Sequence, residues 1–166
     1  TMIGNPTPKV TYGFSLGVNY KNWSLGIDMM GQGGNKIFRT WDNYNFAQFN
    51  YLEQRLDRWH GEGTSNTQPL LNSKHSINYL NSDYYIESGN FFRIRNVQLA
   101  YAFDKSLLAK IRLQALKAYV NIQNLKTWKH NTGYTPELGG TATAFGVDNG
   151  SYPVPAVYTF GINLTF

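Results

Sequence analysis

Few of the 166 residues could do covalent chemistry, and their spacing argues against it. His60, His75 and His130 are scattered, with no H-E-x-x-H or comparable ligand spacing, so no metal site is expected. Glu53 and Asp57 lie four residues apart, but Arg55 and Arg58 interleave them, and a solvated charged face is the better reading. The absence of Cys removes thiolate nucleophiles, zinc–thiolate sites, iron–sulfur clusters and disulfides together. Neither a G-x-S-x-G, a P-loop nor a dinucleotide fingerprint occurs. The sequence predicts no catalytic group, no metal and no cofactor.

Binding chemistry remains. Trp41, Tyr44, Phe46, Tyr51 and Trp59 cluster among asparagines, where ring faces could stack on a sugar or peptide. Trp41, Tyr44, Tyr51 and Trp59 are therefore the candidate contacts for a ligand or for a partner that covers them; packing among themselves is the bland alternative. Arg93 and Arg95 put two guanidinium groups, which suit phosphate geometry, within one short segment. The net charge of +5 is dispersed and forms no stripe for nucleic acid.

Strands must position these groups. Val10, Tyr12, Phe14, Leu16, Val18 and Tyr20 alternate with Thr11, Gly13, Ser15, Gly17 and Asn19 without an exception. That period of two is the mark of a half-buried strand. It resumes after Lys21-Asn22 as Trp23, Leu25, Ile27 and Met29, which predicts a hairpin. Val97, Leu99, Tyr101 and Phe103 repeat it, as do Leu116, Ala118, Val120 and Ile122. Tyr158, Phe160, Ile162, Leu164 and Phe166 repeat it a last time. Five strands are expected, over 9–22, 23–31, 91–103, 116–125 and 157–166. A short amphipathic helix is expected around 47–59, where Phe49, Leu52, Leu56 and Trp59 fall at near-helical spacing. A helical turn is expected over 105–110.

Composition separates a membrane sheet from a soluble one only through the pattern. Mean hydropathy is −0.42, and no run approaches the 18 apolar residues of a membrane helix. A transmembrane β-strand is apolar on one face only, so averaging hides it. Most of the five strands approach the ~9–11 residues that a tilted strand needs to cross a bilayer. Short connections alternate with long loops over 32–90 and 126–156, as in barrels with short periplasmic turns and longer external loops. Tyr20, Trp23, Tyr101 and Tyr158 suit interfacial girdles. The opposite parity holds Thr11, Ser15, Asn19, Asp28, Gln98, Asn121 and Asn163, fit for a wet or filled lumen. Five strands cannot close a barrel, and bacterial single-chain barrels have even strand numbers. The start, Thr1-Met2-Ile3-Gly4, carries neither an initiator Met at position 1 nor a signal-peptide pattern. The expectation is an antiparallel, all-β segment of a larger transmembrane barrel.

Specific words sharpen this. The run from Glu87 through Ser88-Gly89-Asn90-Phe91-Phe92-Arg93-Ile94-Arg95-Asn96 to Tyr101 resembles the E-D-G-S-F-L-R-L-K-N-L-T-L-G-Y segment of SusC/RagA-type TonB-dependent transporters. Asn124-Leu125 with Thr132-Gly133-Tyr134-Thr135-Pro136-Glu137 is similar to that family's N-L … T-G-Y-D-P-E stretch. Ile3-Gly4-Asn5-Pro6-Thr7-Pro8-Lys9 with Tyr12-Gly13-Phe14 resembles its I-G-N-P-N-P-K … Y-G-F run, and Arg58-Trp59 and Tyr158-Thr159-Phe160-Gly161 also fit. Thr135 stands where Asp is usual and Lys126 where an aromatic is usual; both bear on loop contacts.

The resemblance implies the last five strands of a 22-stranded barrel, of roughly 700 residues at this spacing, in the outer membrane of a Gram-negative bacterium of the Bacteroidota. It implies uptake of oligosaccharides or oligopeptides with a SusD-like surface lipoprotein, driven by TonB through an N-terminal plug that these residues lack. Outer-membrane lipid, lipopolysaccharide and the barrel assembly machinery are the other implied partners. Tyr158, Phe160, Ile162, Leu164 and Phe166 are then a barrel assembly signal as well as a lipid-facing strand. Arg93 and Arg95 share the outward parity of Val97 and Leu99 and could meet lipopolysaccharide phosphates; a bulge that re-aims them is the alternative. Two other classes compete: an outer-membrane barrel hydrolase, and a secreted glycan-binding β-sandwich.

Overall fold

The computed structural model describes residues 3–41, 51–71, 80–109 and 112–166. Its strands are β1 (Val10–Tyr20), β2 (Trp23–Gly33), β3 (Lys36–Arg39), β4 (Ile86–Ser88), β5 (Phe91–Ala102), β6 (Ala115–Lys129), β7 (Val147–Asp148) and β8 (Val157–Thr165). A one-turn helix, α1 (Lys105–Leu108), lies between β5 and β6. Five strands form one antiparallel sheet in the order β1-β2-β5-β6-β8. A small sheet, β4-β3-β7, is built inside the two long loops, with β3 and β7 parallel.

Alternation becomes two faces of different chemistry. Leu16, Ile27, Val97, Ile122 and Tyr158 are cross-strand neighbours and form one apolar row across all five strands. Val18, Leu25, Leu99, Val120 and Phe160 form the next. In a soluble sheet such rows would be covered. Here Leu16 is 53% and Phe160 76% exposed. No second sheet lies over them among the described residues, so the arrangement is not a sandwich. The largest fully buried side chains are in and around the small sheet: Ile37, Tyr85, Pro136 and Asp148.

The size of this apolar face fits a bilayer. Eleven residues rise about 33 Å along the strand, and a barrel tilt near 40° reduces that to about 25 Å, the height of a typical lipid-facing band. Aromatic rings mark both margins. Trp23 and Tyr101 lie 4.8 Å apart beside the short turns, with Phe103 next to Tyr101. Tyr12, Phe92 and Trp128 form a continuous stack near the loops, at 6.5 and 5.7 Å. No helix among the described residues is long and apolar enough to cross a membrane, which says nothing of strands.

β5 is bulged at Arg95. Asp28 and Met29 of β2 are adjacent, yet their partners Asn96 and Ile94 are two apart. The extra residue exchanges the faces of everything before it. Phe92 and Ile94 therefore join the apolar face. Arg93, whose partners are Met30 and Thr127, joins the polar one. The outward placement of Arg93 and Arg95 by simple parity is thus corrected: parity counted through a bulge is off by one.

Other expectations are also revised. The expected helix around 47–59 is, in its described part, a 3-10 segment at Glu53–Asp57 without a side-chain N-cap. Leu52 before it and Arg58 after it are extended, so the segment stops after five residues; residues 42–50 lie outside the described residues. β6 runs four residues past the expected end at 125, because beyond the bulge it follows β5 upward with Lys126 and Trp128 outward. Each edge strand, β1 and β8, is paired on one side only, so among the described residues the sheet is open and no closed barrel is formed.

Candidate functional site

The polar face lines an open cavity of about 1300 Å³. Strand alternation supplies Ser15, Asp28, Gln98, Lys117, Tyr119, Asn121, Gln123, Thr159 and Asn163 to its lining, and the bulge adds Arg93 and Arg95. Ser15 Oγ donates to Asp28 Oδ1 at 2.7 Å, and Asn96 Nδ2 lies 3.5 Å from Asp28 Oδ2. The single carboxylate of the sheet's inner surface is thus held by neutral donors. Tyr119 lies flat over Gly161 of β8, where any side chain would collide with its ring. Apart from Asp28, Arg93, Arg95, Lys117 and Glu137, the polar lining is amide and hydroxyl, a surface for hydrogen bonding.

The two long loops are fastened above this cavity by two carboxylates. Glu87 Oε1 accepts from Arg39 Nη1 at 2.7 Å and from Thr132 Oγ1 at 2.6 Å, while its Oε2 accepts the Thr132 N–H at 2.8 Å. Arg39 and Glu87 are nearly buried, and the rings of Trp41, Tyr84 and Tyr85 surround the Arg39 guanidinium at 5.4–5.8 Å. Arg93 is 4% exposed; its Nε donates to Thr127 Oγ1 at 2.7 Å and its Nη1 pairs with Glu137. Thr132 and Glu137 are the two ends of the Thr-Gly-Tyr-Thr-Pro-Glu word, and Glu87 and Arg93 belong to the other word. The two motifs hold each other. Thr135, where Asp is usual, accepts the Glu137 N–H on its own Oγ1 at 3.2 Å.

The aromatics singled out from sequence are placed apart. Trp41 follows β3 and joins the Arg39 cluster; its indole N–H finds no acceptor among the described residues. Tyr51 and Trp59 are exposed and flank the 3-10 segment, with the Trp59 N–H donating to the Gln68 carbonyl. Tyr44 lies outside the described residues. Tyr84 and Tyr85, which sequence reasoning passed over, complete the ring cluster; their position three and two residues before Glu87 was the available signal. Tyr158, Phe160, Ile162, Leu164 and Phe166 all lie exposed at the free edge of the sheet. His60 Nδ1 sits 3.0 Å from the Arg58 carbonyl, and His75 lies outside the described residues. Among the described residues no three His, Asp or Glu side chains come together in a metal-binding group.

No family model matches the chain. Three TonB-dependent receptors of Formosa agariphila do: P3 at 28% identity over 99% of the chain, P26 at 27% over 99%, and P39 at 29% over all of it. The chain spans 17–18% of their length. Among solved structures, the RagAB peptide importer matches in its closed-closed state with a TM-score of 0.77 and 28% identity over 97% of the chain. In its open-open state the TM-score is 0.72, with 26% identity over 96%. The chain covers 17–18% of those molecules.

Proposed function

We propose that this chain, a homologue of TonB-dependent receptors along its whole length with a structural match to RagA, is a five-strand barrel segment of an outer-membrane importer. TonB-dependent transporters are not enzymes, and the hydrolase alternative is withdrawn. The observation that carries the proposal is the uncovered apolar face bounded by two aromatic margins, on a sheet that matches RagA at TM-score 0.77. In a closed barrel, of 22 strands by the family resemblance, the free edges of β1 and β8 are paired and the cavity becomes part of the lumen.

The cargo is an oligopeptide or an oligosaccharide, and the peptide-importing relatives favour the first. A SusD-like surface lipoprotein caps the loops, and TonB supplies energy through an N-terminal plug outside these residues. The host is a Gram-negative bacterium of the Bacteroidota, as the Formosa homologues suggest. The Tyr158 to Phe166 face serves the barrel assembly machinery before it meets lipid. Lipopolysaccharide phosphate meets Lys126, the cation that the bulge leaves on the outward face beside Ile94, in place of Arg93. The test is deletion of the whole transporter followed by uptake of labelled oligopeptides and oligosaccharides. Loss of one class supports import of that class; unchanged uptake of both overturns the proposal.

A further inference from the structure

We infer that Arg95 is a carboxylate-binding group exposed to the polar cavity, and that an anionic group seated there completes it. The inference rests on the importer reading only for what brings the anion in. The bulge separates two arginines that sequence spacing makes look alike. Arg93 is buried and satisfied by Thr127 and Glu137. Arg95 is exposed, and among the described residues its side chain meets only the Met30 thioether as a hydrogen-bond acceptor, 4.0 Å from Nη1 and weak at best.

The carboxylates that could neutralise Arg95 are already engaged. Glu137 pairs with Arg93, and Asp28 is held by Ser15 and Asn96. Among the described residues neither forms an ion pair with Arg95. Lys117 on β6 adds a second exposed cation to the same lining. The cavity therefore offers three cations against two anions, and Gln98, Gln123 and Asn124 add neutral amides to the same lining. A planar fork of donors among amides matches a carboxylate, which it can take through two parallel hydrogen bonds.

That carboxylate comes from the cargo or from the protein's own chain where it fills the lumen, and one experiment separates them. The full-length transporter is purified in detergent as wild type, Arg95→Gln, Arg95→Lys and, for the outward face, Lys126→Gln. Binding of tritiated (Gly-Glu)3 is compared with that of (Gly-Gln)3, and the melting temperature of each protein is recorded. For a cargo carboxylate, wild type prefers the acidic peptide by about tenfold, Arg95→Gln removes the preference, and Arg95→Lys keeps part of it. For the protein's own carboxylate, wild type shows no preference, Arg95→Gln lowers the melting temperature and Arg95→Lys restores most of it, while Lys126→Gln does not move it. If Arg95→Gln changes neither the preference nor the melting temperature, the inference is overturned. Failure of the importer reading looks different: cargo uptake survives deletion of the transporter, while the effect of Arg95 on the purified protein stands.

Discussion

Leu16→Arg is the sharpest probe of which face meets lipid. Leu16 is one residue from the midpoint of β1, in the row with Ile27, Val97, Ile122 and Tyr158. Tyr12 and Tyr20 lie four residues to either side, about 13 Å along the strand and about 10 Å along the membrane normal at a 40° tilt. With a band about 25 Å tall, Leu16 is at the midplane and the two tyrosines are near its margins. Arginine at the midplane of a lipid-facing strand costs about 2–4 kcal/mol, falling to about 0–1 kcal/mol near the interfaces. The central substitution should thus shift the folded-to-unfolded ratio by roughly thirtyfold to nearly a thousandfold. The assay is denaturant unfolding of the full-length barrel in lipid vesicles, with Leu16→Arg, Tyr12→Arg, Tyr20→Arg and Gly17→Arg compared. Gly17 is one residue away on the polar face, and a side chain built there meets nothing within 4 Å. Equal costs at positions 12, 16 and 20, or a cost at Gly17 matching that at Leu16, would refute the lipid-facing assignment.

Other perturbations follow from single contacts. Gly161→Val must displace the Tyr119 ring and should cost about 1–3 kcal/mol, read as a lower denaturation midpoint, while Gly17→Ala stays neutral. Glu137→Gln removes the charged partner of nearly buried Arg93 and should cost about 1–3 kcal/mol. Limited proteolysis should then cut within 130–156, and a double-mutant cycle with Arg93→Met should show coupling. Glu87→Gln weakens the Arg39 and Thr132 contacts together and should expose the same loop; an unchanged digestion pattern would show that the loop is held by other means. Phe166→Glu should lower the amount of protein in the outer membrane at unchanged transcript level, and unchanged amounts would count against the assembly-signal role.

The sheet was legible in the sequence wherever alternation was unbroken. Val10–Tyr20 declares itself because six apolar side chains on one face must all be accommodated by the same environment. Arg93 was not legible in the same way. A bulge changes parity without changing composition, so counting from Val97 puts Arg93 on the wrong side of the sheet, and only the partners Met30 and Thr127 reveal the right one. β3, β4 and β7 escaped notice for a different reason. They are two to four residues long, shorter than any period can register, and two of their pairings join segments some fifty or more residues apart. The loop motifs were visible as words, but their purpose was not: that Glu87 meets Thr132 and Arg93 meets Glu137 depends on how the long loops fold back. The candidate aromatics suffered most. Spacing grouped Trp41 with Tyr51 and Trp59, whereas in the structure it stands with Tyr84 and Tyr85 around Arg39.

The most direct test of the central claim is the denatured intact mass of the native polypeptide that carries this sequence, taken from fractionated cells. A segment of an outer-membrane importer requires a chain several times heavier than 18.9 kDa, found in the outer-membrane fraction and soluble only in detergent. An 18.9 kDa species that stays soluble without detergent would contradict it, because the exposed rows through Leu16 and Phe160 would then have no lipid to face.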